Sequence, residues 1–211
     1  SNTAYFSHIS MINPRGKFLL YRENLNNFME TYCESISKGE ILGIGEKPEV
    51  YIPILIDIDL KSDEDKDLYT DKTVNNVVRI YQKVLKEIVK DCTDDKLLCV
   101  LLEKKRYKVK DKQIYKHGFH LHFPKIFLEK ENHENFLLPK VKIELIKDKV
   151  FDSDKIDSIL DDHYLKNVWL LYGSRKSEEQ NCYKLTKIFN SELKHISIDE
   201  AFMDYNIYKN G

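Results

Sequence analysis

The stretch Val50-Tyr51-Ile52-Pro53-Ile54-Leu55-Ile56-Asp57-Ile58-Asp59-Leu60 decides how the rest of the chain is read. Apart from one proline, everything up to Ile56 is β-branched, aromatic or aliphatic, which suits a pleated backbone. A short continuous apolar run of this kind reads as a buried strand. Aspartate enters only at its end. Side chains on a strand repeat every two residues, so Asp57 and Asp59 share a face. Neighbouring carboxylates repel, and each resists ionisation unless a positive charge sits between them. A divalent cation supplies that charge, and carboxylate oxygens suit Mg²⁺ or Mn²⁺, which keep waters and bind substrate phosphates. The plainer reading is a strand end with two solvated acids. Placement at the end of a buried strand, where sites gather in α/β sheets, favours a site.

Outward from this strand the pattern is mixed. Residues 62–70 form an acidic loop. Residues 71–91 form an amphipathic helix with Val74, Val77, Val78, Tyr81, Val84, Leu85 and Ile88 on one stripe. A second strand is expected at 97–102, a very basic turn at 104–112, and a third strand at 114–123. Upstream, 17–33 has apolar residues at helical spacing. Downstream, 132–148 reads as a helix interrupted at Pro139. Residues 155–160 lead into Asp161-Asp162, and strands follow at 169–172 and 183–189. Strands and helices mix without a βαβα rhythm, so the expected class is α+β.

Two further stretches carry chemistry. In Lys116-His117-Gly118-Phe119-His120-Leu121-His122, the residues Lys116, Gly118, His120 and His122 fall on one strand face. Glycine inside a strand implies close approach of a ligand or of another backbone. A histidine here is either a satisfied core residue, part of a zinc or iron pair, or a phosphate contact. No H-x-x-E or C-x-x-C completes a metal set. In Leu160-Asp161-Asp162-His163, an acid arrives that would complete a metal triad; the alternative is a turn or helix cap. Gly173-Ser174-Arg175-Lys176 after a strand offers amide groups, a hydroxyl and two cations, a set suited to phosphate. Gly43-Ile44-Gly45 lacks a third glycine, and there is no G-x-x-x-x-G-K-[ST], so a dinucleotide or P-loop site is discounted.

Composition bounds these readings. The chain has 211 residues, 42% hydrophobic and 33% charged, with 34 Lys and Arg against 35 Asp and Glu. That is too apolar for a disordered tail and too charged for a membrane protein. No apolar run approaches the roughly 18 residues of a spanning helix, so no membrane partner is expected. Residues 1–10 lack a secretion pattern, so an intracellular location is expected. Cys33, Cys92, Cys99 and Cys182 form no C-x-x-C, so reduced thiols are expected and zinc is not. With few Gly and Pro and no repeats, one domain over 1–211 is expected, with room for two lobes. The opening Ser1-Asn2 without Met suggests an excised domain.

The ordered set I-D-I-D, then K-H-G-F-H, then L-D-D-H with W-L-L-Y-G-S-R-K resembles the archaeo-eukaryotic primase superfamily, over roughly residues 17–189. It is most similar to the primase domains of primase-helicases from large DNA viruses of the poxvirus, asfarvirus and giant-virus group. The resemblance implies a catalytic core of mixed and antiparallel sheets, with an RRM-like lobe and an N-terminal helical/αβ lobe. It implies DNA primase or primase-polymerase activity: template-directed nucleotidyl transfer with two divalent ions, Mg²⁺ or Mn²⁺, making primers for DNA replication. It implies Asp57, Asp59 and Asp161 as metal ligands, with Asp162 next in register. His120 and Lys116 would meet the triphosphate of an NTP or dNTP, and Arg175 and Lys176 would also bind the nucleotide. Arg22 resembles a nucleotide-reaching arginine of an N-terminal helix. Gly118 stands where many relatives have Ser. Implied partners are a single-stranded DNA template, a primer, and a helicase domain in the same full-length chain. A metal-dependent nuclease using the same acids is the alternative enzyme, and a non-catalytic single-strand binding module the alternative binder.

The net charge of −1 hides two clusters. Between Asp57 and Asp71 stand seven acids against Lys61 and Lys66, and between Lys104 and Lys116 stand seven bases against Asp111. Lys104, Lys105, Arg106 and Lys108 are therefore candidates for nucleic-acid phosphates, with Tyr107 and Tyr115 placed either to stack on bases or to pack on the sheet. A solvated hairpin tip is the competing explanation.

Overall fold

The computed structural model describes residues 5–160 and 162–203. In chain order, strands β1 (His8–Ser10) and β2 (Gly16–Phe18) precede helix α1 (Leu25–Ser37), strand β3 (Ile44–Glu46) and the long strand β4 (Tyr51–Ser62). Helix α2 (Asp71–Ile88) leads to strands β5 (Cys99–Glu103), β6 (Tyr107–Lys108) and β7 (Tyr115–Glu129). Helices α3 (Lys130–Asn132), α4 (Leu138–Lys147) and α5 (Ile156–Ile159) follow, then strands β8 (Trp169–Leu170) and β9 (Lys184–Phe189) and helix α6 (Ile198–Ala201). Antiparallel sheets and segregated helices make this an α+β fold, as expected. The chain forms two units: residues 1–49 with 166–184, and residues 50–165 with 185–211. No helix among the described residues is long and apolar enough to cross a membrane.

The first unit is a four-stranded sheet in the order β2-β1-β3-β8 with α1. Helical spacing predicted a helix over 17–33, but Gly16–Phe18 is a strand paired with β1, with His8 opposite Phe18. The Phe18 ring stacks on His8 at 5.5 Å and meets Phe28 of α1 at 6.2 Å. Cross-strand aromatic packing outweighs helical periodicity here. Helix α1 begins only at Leu25, after a 3-10 turn at Arg22–Asn24. Gly43-Ile44-Gly45 proves structural: Ile44–Glu46 pairs with β1 and β8, and a Cβ on Gly43 would fall 2.8 Å from the Arg175 carbonyl.

In the second unit β4 pairs antiparallel with β7 along its whole length, and the sheet continues to β5 and β9, with β6 on β7. Ile54, Ile56, Ile58 and Leu60 are buried on one face, as period two requires. Phe119, Leu121 and Phe123 of β7 share it, and Tyr81 of α2 meets Phe123 at 6.2 Å. Helix α2 therefore covers this face with the stripe Val74, Val77, Val78, Tyr81, Val84 and Leu85. Thr70 caps it, accepting from the Thr73 amide in a capping box. Asp57 and Asp59 are left on the opposite face.

Two proline effects were not expected. Strand β7 continues past Pro124 to Glu129, where the expected strand stopped at 123. The register shifts between Pro53 and Ile54: Pro53 faces Phe127, but Ile54 faces Phe123. A bulge accommodates both prolines, which cannot donate to the ladder. The helix expected over 132–148 with an interruption at Pro139 is interrupted just ahead of that residue, by a π-turn at His133–Leu137 before α4. Pro139 has no N–H to close the preceding α-turn, and the wider turn sits just ahead of it.

Candidate functional site

The register of β4 and β7 assembles the site. Asp57 faces His120, Asp59 faces Gly118, and Lys61 faces Lys116. All six lie on the sheet face away from α2. His120 Nε2 is 3.3 Å from Asp57 Oδ1. Lys116 Nζ donates to Asp59 Oδ2 at 2.7 Å, and Lys61 Nζ lies 3.7 Å from the same oxygen. The groups are half-buried: 14% of the His120 side chain, 38% of Asp57, 32% of Asp59 and 30% of Lys116 is exposed. Burial lowers the Lys116 ammonium pKa, but the hydrogen bond and charge of Asp59 outweigh it, so the group stays charged above its ordinary value.

Gly118 answers to the neighbouring backbone. A Cβ there would lie 2.0 Å from the Ile58 carbonyl oxygen and 3.3 Å from the Asp59 Cα. Such close approach of β4 to β7 permits glycine alone, and it leaves no side chain between Lys116 and His120 on the site face. His122, one step further along β7, faces Leu55 and Val100 rather than an acid. Its Nε2 is buried without a hydrogen-bond partner, and burial lowers its pKa to about 4. It is a neutral sheet residue beside the acid pair.

Among the described residues no three His, Cys, Asp or Glu side chains form a metal-holding cluster. Asp161, the expected third ligand, lies outside the described residues. The segment leading to it is placed by α5, which packs against β4. Asp162 is half-buried, with Oδ1 3.9 Å from His163 Nδ1. The donor set fits a hard divalent ion: two carboxylates on one face, each already drawing a basic group. Mg²⁺ commonly takes one or two carboxylates and completes its shell with water and substrate phosphate. A cavity of about 280 Å³ opens beside Asp59, lined also by Lys61, Leu68, Phe151, Lys155 and Ser158.

The basic segment after β5 is engaged with the acidic loop after β4. Arg106 Nε donates to Asp65 at 2.7 Å and its Nη1 to Asp67 at 2.6 Å. His117 Nδ1 accepts from the Leu68 amide at 3.2 Å, and the Tyr69 hydroxyl donates to Glu103 at 2.8 Å. Lys104 Nζ lies 4.6 Å above the half-buried Tyr107 ring, and Lys108 Nζ lies 5.9 Å above Tyr115. Lys105 and Lys108 are exposed. Neither Lys61 nor the Asp65/Asp67 pair was singled out from the sequence. Lys61 could have been, since it continues the period-two row of Asp57 and Asp59.

Arg22, Arg175 and Lys176 belong to the first unit. Arg22 is exposed in the 3-10 turn ahead of α1, not inside the helix. The Gly173–Lys176 turn spends most of its polar groups internally. The Ser174 hydroxyl accepts from the Ile44 amide at 2.8 Å and pairs with the Tyr32 hydroxyl at 2.8 Å. The amides of Ser174 and Arg175 bond the carbonyls of Leu171 and Leu42. Gly173 sits at φ +86° against Ile36, a backbone position suited to glycine. Lys176 is exposed, whereas Arg175 Nε is buried without a hydrogen-bond partner.

An antiparallel sheet presenting Asp-x-Asp against Lys-x-Gly-x-His marks a primase-type domain. The profile of the family described as "C962R protein N-terminal AEP domain" matches residues 7–189, and the chain belongs to that family of archaeo-eukaryotic primase domains. It is similar to viral proteins named as helicases. It is 34% identical to "Putative helicase 184R" of Invertebrate iridescent virus 6, over 93% of this chain and 23% of that protein. It is 31% identical to "Putative helicase 121R" of Invertebrate iridescent virus 3, over 93% of this chain and 22% of that one. It is 28% identical to "Putative helicase L207/L206" of Acanthamoeba polyphaga mimivirus, over 92% of this chain and 20% of that one. The chain thus spans about a fifth of the length of these relatives.

Proposed function

We propose that this domain is a DNA primase or primase-polymerase, a nucleotidyltransferase that builds primers on single-stranded DNA. The observation that carries the reading is the convergence of Asp57, Asp59, Lys116 and His120 on one face of the β4–β7 ladder. Asp57 and Asp59, with Asp161, would hold two Mg²⁺ or Mn²⁺ ions. When bound, such ions activate an attacking 3′-hydroxyl and neutralise charge on the transferred phosphoryl group. The rest falls to the chain. Lys116 and His120 offer donors to triphosphate oxygens, and the rigid sheet fixes their spacing. Positioning and charge neutralisation are what phosphoryl transfer chiefly requires. Lys104, Lys105 and Lys108 would track a template or primer backbone. In the full-length protein a helicase domain would share the chain, in keeping with the names of the longer relatives.

The test is primer synthesis on single-stranded DNA with NTPs or dNTPs and Mn²⁺ or Mg²⁺. Asp57→Ala/Asp59→Ala is expected to lower synthesis by at least about 10³-fold, since metal coordination supplies several kcal/mol of transition-state stabilisation. Undiminished synthesis refutes the assignment. Degradation of labelled DNA without nucleotides would instead identify a nuclease.

A further inference from the structure

We propose that Lys116 is a built-in counter-ion of the acid pair: it occupies Asp59 until a divalent cation displaces it, and the displaced ammonium then serves the anionic ligand that arrives with the metal. The inference rests on the metal-binding reading of Asp57 and Asp59 and adds a device that links metal to nucleotide.

The geometry is specific. Lys116 Nζ holds Asp59 Oδ2 at 2.7 Å. A divalent ion of Mg²⁺ size needs that oxygen at about 2.1 Å. A second cation on the same oxygen would repel it strongly in a half-buried setting. Metal binding through this oxygen is therefore an exchange in which Lys116 leaves. The lysine can do so, because its charge sits on a flexible four-carbon stem. Gly118, the next residue on this face of β7, has no side chain to bar its swing. Beyond it on this face lie His120 and Asp57, 3.3 Å apart. Lys61 approaches the same oxygen less closely, at 3.7 Å, with 49% of its side chain exposed, and is a weaker competitor.

Two consequences follow. Free protein binds metal more weakly than its carboxylates alone would. An anion that draws Lys116 away strengthens metal binding, and by linkage metal strengthens anion binding to the same degree.

The experiment is Mn²⁺ titration of the nucleotide-free domain, read by electron paramagnetic resonance of the free ion, with thermal unfolding as the check on folding. Lys116→Met is expected to bind Mn²⁺ about five- to tenfold more tightly than wild type, the scale of a half-buried ion pair. Lys116→Gln is expected to do the same with a polar side chain that keeps the face hydrated. Lys116→Arg keeps the counter-ion and is expected to bind no more tightly than wild type, and Lys61→Met to change affinity less than twofold. Repeated with a triphosphate present, the gain in Mn²⁺ affinity is expected to be smaller in Lys116→Met than in wild type. Folded Lys116→Met and Lys116→Gln with wild-type affinity overturn the counter-ion proposal while leaving the metal site standing. Mn²⁺ binding insensitive to Asp57→Asn/Asp59→Asn overturns the metal-site reading, and the proposal with it.

Discussion

Replacing Gly118 with alanine sets one methyl group against the backbone of the facing strand. The added Cβ would lie 2.0 Å from the Ile58 carbonyl oxygen, 3.1 Å from its carbon and 3.3 Å from the Asp59 Cα. An ordinary carbon–oxygen contact needs roughly 3.4 Å, so the strands must part by more than 1 Å. The atoms met are backbone, and no rotamer change relieves them. Overpacking of this kind costs about 1–3 kcal/mol. A parted ladder also weakens one or two flanking hydrogen bonds, each worth about 1 kcal/mol. Stiffening the unfolded chain returns at most about 1 kcal/mol. The expected loss is therefore about 3 kcal/mol, measured by urea unfolding at pH 7 with an unchanged slope. Gly118→Ser should behave alike, because its Cβ meets the same oxygen. A loss below about 1 kcal/mol for both variants would refute the reasoning: β4 could then move without strain, and glycine would not be required by the strand pair.

The remaining predictions concern pH and charge. His133 is fully buried; its Nε2–H donates to the Ile52 carbonyl at 3.4 Å, its Nδ1 accepts from the Tyr164 hydroxyl at 3.3 Å, and burial lowers its pKa to about 4. The unfolded chain takes up this proton near pH 6.5 while the folded chain resists until about pH 4, so stability holds above pH 6.5 and falls between pH 6.5 and 4. For His133 alone the loss from pH 7 to pH 5 is about 2 kcal/mol, and it should vanish from the urea-unfolding difference in His133→Gln; an unchanged pH dependence in the variant contradicts this. Asp65→Asn/Asp67→Asn releases Arg106 and removes two anions, so single-stranded DNA affinity should rise and the slope of log K against log salt should steepen by about one contact. Lys104→Ala/Lys105→Ala should weaken binding and flatten the same slope, and slopes unmoved in both variants would rule out a phosphate track on this segment.

The acid pair was legible in the sequence because its signal is local. Period two along one strand places Asp57 and Asp59 on a face, and the same rule places Lys116, Gly118 and His120 together on β7. What the sequence did not contain was the register between these strands. That register is a tertiary outcome, and it alone decides that Lys116 reaches Asp59 while His122 ends opposite Leu55. The α2 stripe was readable for the same reason, through a strong period of 3.6. Strands β1, β2 and β3 were not, since three residues are too few to show a period and their stability comes from one another. The Gly173–Lys176 turn suggested a phosphate clamp by composition. Its hydroxyl proved to bond Tyr32 and Ile44, residues more than a hundred positions away in sequence.

The near-zero net charge acquires a physical meaning from these contacts. An acidic cluster and a basic cluster of equal size follow one another in the chain, and in the folded second unit they meet: Asp59 with Lys116, and Asp65 and Asp67 with Arg106. Lys61 and His120, outside the basic cluster, add to the pairing at Asp59 and Asp57. On the proposed function, carboxylates that would hold metal are paired with bases, and a base that would hold phosphate is paired with carboxylates. Binding a divalent ion or a nucleic-acid backbone is then an exchange of internal partners for external ones. Each exchange gives less affinity than a naked site would, but it avoids leaving uncompensated charge in a half-buried setting, which is the costlier state. It also couples the two ligands, since a cation displaced from Asp59 becomes available to an incoming phosphate. A uniformly basic surface would bind nucleic acid more tightly and would lack this coupling.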